Sequence, residues 1–134
     1  MTTGIIIVDH GSRNPESNAL LVEVARRFGD WFAAEFDVVE PAHMELAEPS
    51  IATAYARCVQ QGARRIVVCP FFLGPGKHWT VDIPHLTAAA AVDFPDTEFV
   101  VAAPLGCDEL ILELLRKRAQ EALAGKPEGT PARM

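Results

Sequence analysis

Short apolar runs alternate along this chain with longer stretches whose apolar residues recur at helical spacing. Ile5-Ile6-Ile7-Val8 and Ile66-Val67-Val68-Cys69 are continuous, rich in β-branched residues and bounded by glycine or proline. That pattern predicts strands buried on both faces, as in a parallel sheet. After the first run, Asn14-Pro15 supplies a helix cap and first residue, and Leu20, Leu21, Val24, Phe28, Trp31 and Phe32 mark an amphipathic helix of about five turns. A second strand is expected over Asp37 to His43, then a helix carrying Ile51, Ala54, Tyr55, Cys58 and Val59, closed by Gly62 as a C-terminal glycine. The third strand is Arg65 to Pro70. Asp82-Ile83-Pro84 opens a third helix that runs through alanines to Val92, where Asp93-Phe94-Pro95 stops it. A fourth strand spans Glu98 to Ala102. Asp108 caps a last helix with Leu110, Ile111, Leu114, Leu115 and Leu123 on one stripe, ending near Gly125.

Four such units in succession predict an α/β fold: a four-stranded parallel sheet with helices on both faces and right-handed crossovers. The expected strand order is 2-1-3-4, with the first helix on one side and the others opposite, so that strands 1 and 3 flank the switch point where ligands bind. Residues 1–125 are expected to form a single domain and 126–134 a flexible tail. The 134 residues, 49% hydrophobic and 22% charged, have the composition of a soluble globular protein without a membrane span. Ile5–Val8 is too short and lacks the basic flank of a secretory signal, so a cytoplasmic location is expected. Cys58, Cys69 and Cys107 show no close pair, which fits reduced thiols rather than a disulfide framework. A net charge of −6 argues against nucleic acid, whose phosphates need clustered cations.

The chemistry concentrates where the strands end. His10, in Asp9-His10-Gly11-Ser12, follows strand 1, and His78, in Gly76-Lys77-His78, follows strand 3; the topology brings both to one crevice, with Glu45 past strand 2 on the same rim. Neutral imidazoles and a carboxylate form an incomplete shell for a first-row divalent ion, cobalt, nickel or iron, with positions left for substrate. Gly11-Ser12-Arg13 places backbone N–H groups at the start of the first helix, a geometry that suits an anion and equally an ordinary turn. Arg13 and Lys77 could pair with substrate carboxylates. Asp82 is expected to cap the third helix rather than to orient His78. Structural roles are expected for His43 and His85. The apolar loop residues Phe71, Phe72, Leu73 and Trp79 suit a ligand wall or partner surface, and a large flat ligand would need a second wall, most simply from a homodimer.

The ordered set Asp9-His10-Gly11-Ser12-Arg13, Glu45-Leu46-Ala47-Glu48-Pro49-Ser50, Pro70-Phe71-Phe72-Leu73, Gly76-Lys77-His78 and Asp82-Ile83-Pro84 resembles the short, single-domain form of the class II chelatases, the sirohydrochlorin cobaltochelatase family, over nearly all of residues 4–118. The resemblance implies a chelatase-like half domain that inserts Co²⁺ or Fe²⁺ into sirohydrochlorin, for cobalamin or sirohaem synthesis, without ATP and without a cofactor beyond the substrate metal, Ni²⁺ being a possible substitute in vitro. It implies metal binding and catalysis by His10 and His78, participation of Glu45, and pairing of two copies. Two other readings share these residues. A noncatalytic carrier of metal or tetrapyrrole would use the same ligands, and a histidine-dependent phosphoryl-transfer enzyme would use a His-Gly turn, although Asp9 beside His10 would repel a phosphate.

Overall fold

A computed structural model describes residues 1–125, the His78 side chain excepted; the expected tail, 126–134, lies outside the described residues. The strands are β1 (Thr3–Asp9), β2 (Val38–His43), β3 (Arg65–Pro70) and β4 (Glu98–Val101), and the helices α1 (Pro15–Trp31), α2 (Ile51–Gln60), α3 (Ile83–Ala91) and α4 (Glu109–Leu123). All strand pairs are parallel, in the order β2-β1-β3-β4, the order expected from the sequence. β1 is central, and Gly4 to Val8 are buried, which is why its apolar run has no alternation.

The two sheet faces fill separately. Ile6, Val8, Ile66 and Val68 pack with Tyr55, Cys58 and Ile83 of α2 and α3. On the opposite face Ile5 and Ile7 pack with Leu21 and Ala25 of α1. α1 begins as expected, with the Asn14 side chain accepting from the Glu16 N–H and Pro15 in the first turn. Its apolar stripe buries less than its spacing suggests: Leu20 is 63% and Trp31 81% exposed.

Two local differences stand out on the β3–α3 side. One turn of π-helix, His78–Asp82, runs directly into α3. Asp82 therefore has helical backbone and makes no side-chain capping bond, because the preceding turn occupies the place a cap would take. The second difference is α4. Asp108 caps it as expected, accepting from the Leu110 N–H at 2.9 Å, yet α4 contains no buried residue and joins neither apolar cluster. No helix among the described residues is long and apolar enough to cross a membrane.

The cysteines are free. Burial, with the Glu40 carboxylate nearby, pushes the Cys58 thiol up to about 12, and burial also raises Cys69. Thiolate is the reactive form, so at pH 8 a mass-spectrometric alkylation course is expected to modify exposed Cys107 well before the other two. Ile6→Ala, at a fully buried site, is expected to cost about 2–5 kcal/mol in urea unfolding, whereas Val92→Ala, 76% exposed, should stay within about 0.5 kcal/mol.

Candidate functional site

The ladder between β1 and β2 continues beyond the strands and fixes the rim. Asp9 pairs with His43. The Met44 N–H then donates to the Asp9 carbonyl at 2.9 Å and the Glu45 N–H to the His10 carbonyl at 3.2 Å. His10 and Glu45, 35 positions apart by their numbers, are thereby neighbours through their backbones. Gly11, at φ +87°, makes the approach possible: a Cβ there would lie 1.9 Å from the Glu45 carbonyl oxygen, so both its handedness and its lack of a side chain are required.

Below this rim lies a polar pair, half-buried Asp9 and buried His43. The Asp9 carboxylate oxygen Oδ1 accepts from the Gly11 N–H at 3.0 Å and meets His43 Nδ1 at 2.6 Å. A carboxylate acceptor assigns the ring proton to Nδ1. His43 is 1% exposed, and its Nε2 has no hydrogen-bond partner among the described residues. The pair is the polar floor on which the His10 turn rests.

His10 is exposed and its ring stacks on Phe72, with centroids 4.5 Å apart and planes inclined by 22°. Phe72 belongs to the apolar loop after β3. That loop is held by the next one, because the Leu105 N–H donates to the Phe72 carbonyl at 3.0 Å and the Gly106 N–H to the Leu73 carbonyl at 2.8 Å. Trp79 adds a third tie, its indole Nε1 donating to the Ala102 carbonyl at 2.9 Å. The backbone of His78 opens the π turn one residue before Trp79, at the carboxyl end of β3; its side chain lies outside the described residues.

Glu45 is exposed and lines a cleft of about 280 Å³ with Met44, Asp82, His85 and Leu86. His85 also lines a neighbouring cleft of about 360 Å³ with Thr80, Val81, Pro84 and Ala88. His85 is exposed, as a residue in the first turn of α3 is expected to be, and the cleft it lines is the one that Glu45 also lines. Nothing in the local sequence announces the π turn before α3. Among the described residues no three His, Cys, Asp or Glu side chains converge as a metal shell, so no closed structural ion site exists there.

Two N–H groups of the backbone cradle expected at Gly11-Ser12-Arg13 are engaged by side chains of the same segment. The Gly11 N–H goes to Asp9, the Ser12 N–H to Asn18 Oδ1 at 3.0 Å and the Asn14 N–H to Ser12 Oγ at 2.9 Å. Asn18 also donates to the Ser12 carbonyl at 2.7 Å. Short polar side chains thus take the Gly11 and Ser12 donors. Ser12 thus shapes the turn, while Arg13 and Lys77 are exposed beside the rim.

Fold and rim together define a parallel α/β protein of order 2-1-3-4 whose strand ends present an exposed imidazole and a carboxylate over a hydrogen-bonded Asp–His pair. Residues 4–122 match the CbiX family model, and the chain belongs to this family. It is 54% identical over 121 residues to the chloroplastic sirohydrochlorin ferrochelatase of Arabidopsis thaliana, an alignment covering 90% of this chain and 53% of that protein. It is 36% identical over 129 residues to the sirohydrochlorin cobaltochelatase of Methanosarcina acetivorans, covering 90% of this chain and 96% of the relative. In three dimensions it matches SirB from Bacillus subtilis with Fe³⁺, at a TM-score of 0.79 and 29% identity, over 98% of this chain and 49% of SirB. The chain therefore spans about half the length of two of these proteins and nearly all of the third.

Removing the carboxylate with Asp9→Ala leaves the His43 Nδ1–H and the Gly11 N–H without their acceptor. The expected loss is about 2 kcal/mol or more, read as a lower urea midpoint at unchanged slope. Gly11→Ala is expected to cost at least about 1–2 kcal/mol from backbone handedness alone, with a further loss as the Glu45 carbonyl is displaced.

Proposed function

We propose that this chain inserts a divalent metal, Co²⁺ or Fe²⁺, into sirohydrochlorin, as part of cobalamin or sirohaem synthesis. The observation that carries the reading is the juxtaposition of His10 and Glu45 on one exposed rim, in a chain of the CbiX family whose relatives include a sirohydrochlorin ferrochelatase and a cobaltochelatase. Metal insertion requires a weakly held ion, an acceptor for two pyrrole protons and a wall that limits solvent. In this proposal His10 and His78 hold the incoming metal and Glu45 takes up protons. Phe72 supports the proposal structurally: stacked on His10, it restricts the imidazole to a narrow range of orientations while leaving it open to solvent.

Sirohydrochlorin carries several carboxylates, and Arg13 and Lys77 are the cations proposed to meet them, with Ser12 holding the turn that presents Arg13. The proposal includes a second copy of the chain as the facing wall, because a single sheet edge offers one side to a flat macrocycle. The unpaired thiols support a reducing compartment such as the cytoplasm.

Purified protein mixed with sirohydrochlorin and Co²⁺ or Fe²⁺, followed by absorption spectroscopy, tests the reading. His10→Ala is expected to lower the insertion rate by ~10²-fold or more with an unchanged urea midpoint, and Glu45→Gln to lower kcat more than it raises KM. A rate equal to that of the protein-free solution, with metal and tetrapyrrole both bound, would identify a carrier instead.

A further inference from the structure

The loop after β2 is closed at its base and strained at its tip. The His43 N–H donates to the Pro49 carbonyl at 2.8 Å, so Met44 to Glu48 form a short excursion between two bonded residues. The Met44 and Glu45 N–H groups hold its first limb to Asp9 and His10. Its second limb is held through Glu48, whose Oε1 accepts from the Ser50 N–H at 3.0 Å and from the Thr53 hydroxyl at 2.9 Å. Leu46 stands between these limbs at φ +70°, the one left-handed residue other than glycine among the described residues. In that region a Cβ crowds the following carbonyl oxygen, and leucine has neither the freedom of glycine nor the local bonding that lets asparagine adopt it.

Packing does not account for the leucine either. Leu46 is 57% exposed and belongs to neither apolar cluster. Its backbone costs stability and its side chain meets water, so the fold alone would favour glycine or asparagine at this position. An apolar group presented at such a cost is characteristic of a ligand contact. Its neighbours indicate which ligand. From Leu46 the bonded and stacked residues run through Glu45 and His10 to Phe72, and from there to Leu73 and Leu105, which are 60% and 40% exposed. In contact order the rim is polar at its centre and apolar on both flanks. A tetrapyrrole has the matching layout, with nitrogens at the centre of a flat ring, apolar pyrrole carbon around them and carboxylates at the periphery.

We propose that Leu46 is a substrate-contacting residue, whose isobutyl group bears on the flat face of the macrocycle and sets the position of the ring over His10 and Glu45. The loop suits that task because both of its limbs are tied to ordered backbone, so the apolar contact keeps a fixed distance from the Glu45 carboxylate that follows the ring's protons. The inference deepens the proposed function and rests on it, since the ligand is the tetrapyrrole of that reading. It also separates backbone from side chain. Glycine at this position relieves the left-handed turn and removes the contact, so stability and affinity for the ring move in opposite directions. A leucine that served only the fold would lose both together.

Leu46→Gly, Leu46→Asn and Leu46→Met are compared with the wild type as full-length proteins. The urea midpoints of Leu46→Gly and Leu46→Asn are expected to equal or exceed that of the wild type. Metal-free sirohydrochlorin, titrated by its absorption spectrum, is expected to bind these two variants about tenfold more weakly, and Leu46→Met, which restores an apolar side chain, to keep the wild-type affinity. Co²⁺ binding measured without the tetrapyrrole is expected to be the same in all four proteins. Wild-type affinity for the ring in both Leu46→Gly and Leu46→Asn would overturn the contact. Lowered urea midpoints in these two variants would overturn it in favour of a packing role, and a parallel loss of Co²⁺ affinity would overturn it by assigning Leu46 to the metal-binding turn. Metal insertion is followed separately. A wild type that binds sirohydrochlorin through Leu46 but inserts no metal would remove the chelation reading and leave the contact standing, whereas a wild type that binds no sirohydrochlorin would overturn both.

Discussion

The Asp9 carboxylate holds the functional edge of this molecule together. One of its oxygens receives both the Gly11 N–H and the His43 imidazole, so the end of β1, the turn after it and the end of β2 share a single anchor. A half-buried carboxylate left without donors would be costly; here its donors belong to the segments that carry His10 and Glu45. The backbone bonds from Met44 and Glu45 to Asp9 and His10 extend the sheet register into what would otherwise be two independent loops. The rim therefore inherits the rigidity of the sheet. For the proposed metal transfer such rigidity would matter, because a ligand set placed by rigid elements keeps its geometry when it holds few bonds to the ion.

The fold was legible because its strongest signals are long-wavelength. Ile5–Val8 and Ile66–Cys69 lie within the two central strands, and their uninterrupted apolar character is a direct consequence of burial on both faces. The order β2-β1-β3-β4 followed from handed connections once four units were recognised. Of the site, the strand-end placement of His10 and of the His78 backbone was legible for the same reason. What escaped was local and cross-strand chemistry. His43 reads equally well as a core or a rim residue until the β1–β2 register sets it opposite Asp9. In the expected anion cradle Asp9 and Asn18 bond the Gly11 and Ser12 N–H groups, a competition that depends on side-chain rotamers rather than on residue spacing. The cap expected from Asp82 failed because a π turn supplies helical backbone before it.

α4 shows a different kind of limit. Its stripe of leucines was read correctly as an apolar face, and the cap at Asp108 was placed correctly, yet periodicity states only that a helix needs an apolar surface, not which molecule provides it. α1 illustrates the same point more mildly, with Leu20 and Trp31 on its spacing pattern and exposed. Patterning specifies faces, while their partners are set by topology and by how many copies of the chain are present.

These two themes meet at Phe72. Its ring braces the His10 imidazole, and its carbonyl anchors the loop from which α4 departs, so one residue sits on both the chemical edge and the route to the uncovered surface. An exposed imidazole and an exposed carboxylate on a single rim are well hydrated, and hydration weakens the electrostatic leverage that proton removal from a pyrrole requires. A facing wall that excludes water would raise that leverage without altering any residue of the rim. SirB, of which this chain covers 49%, has chain length enough for two such units in one polypeptide.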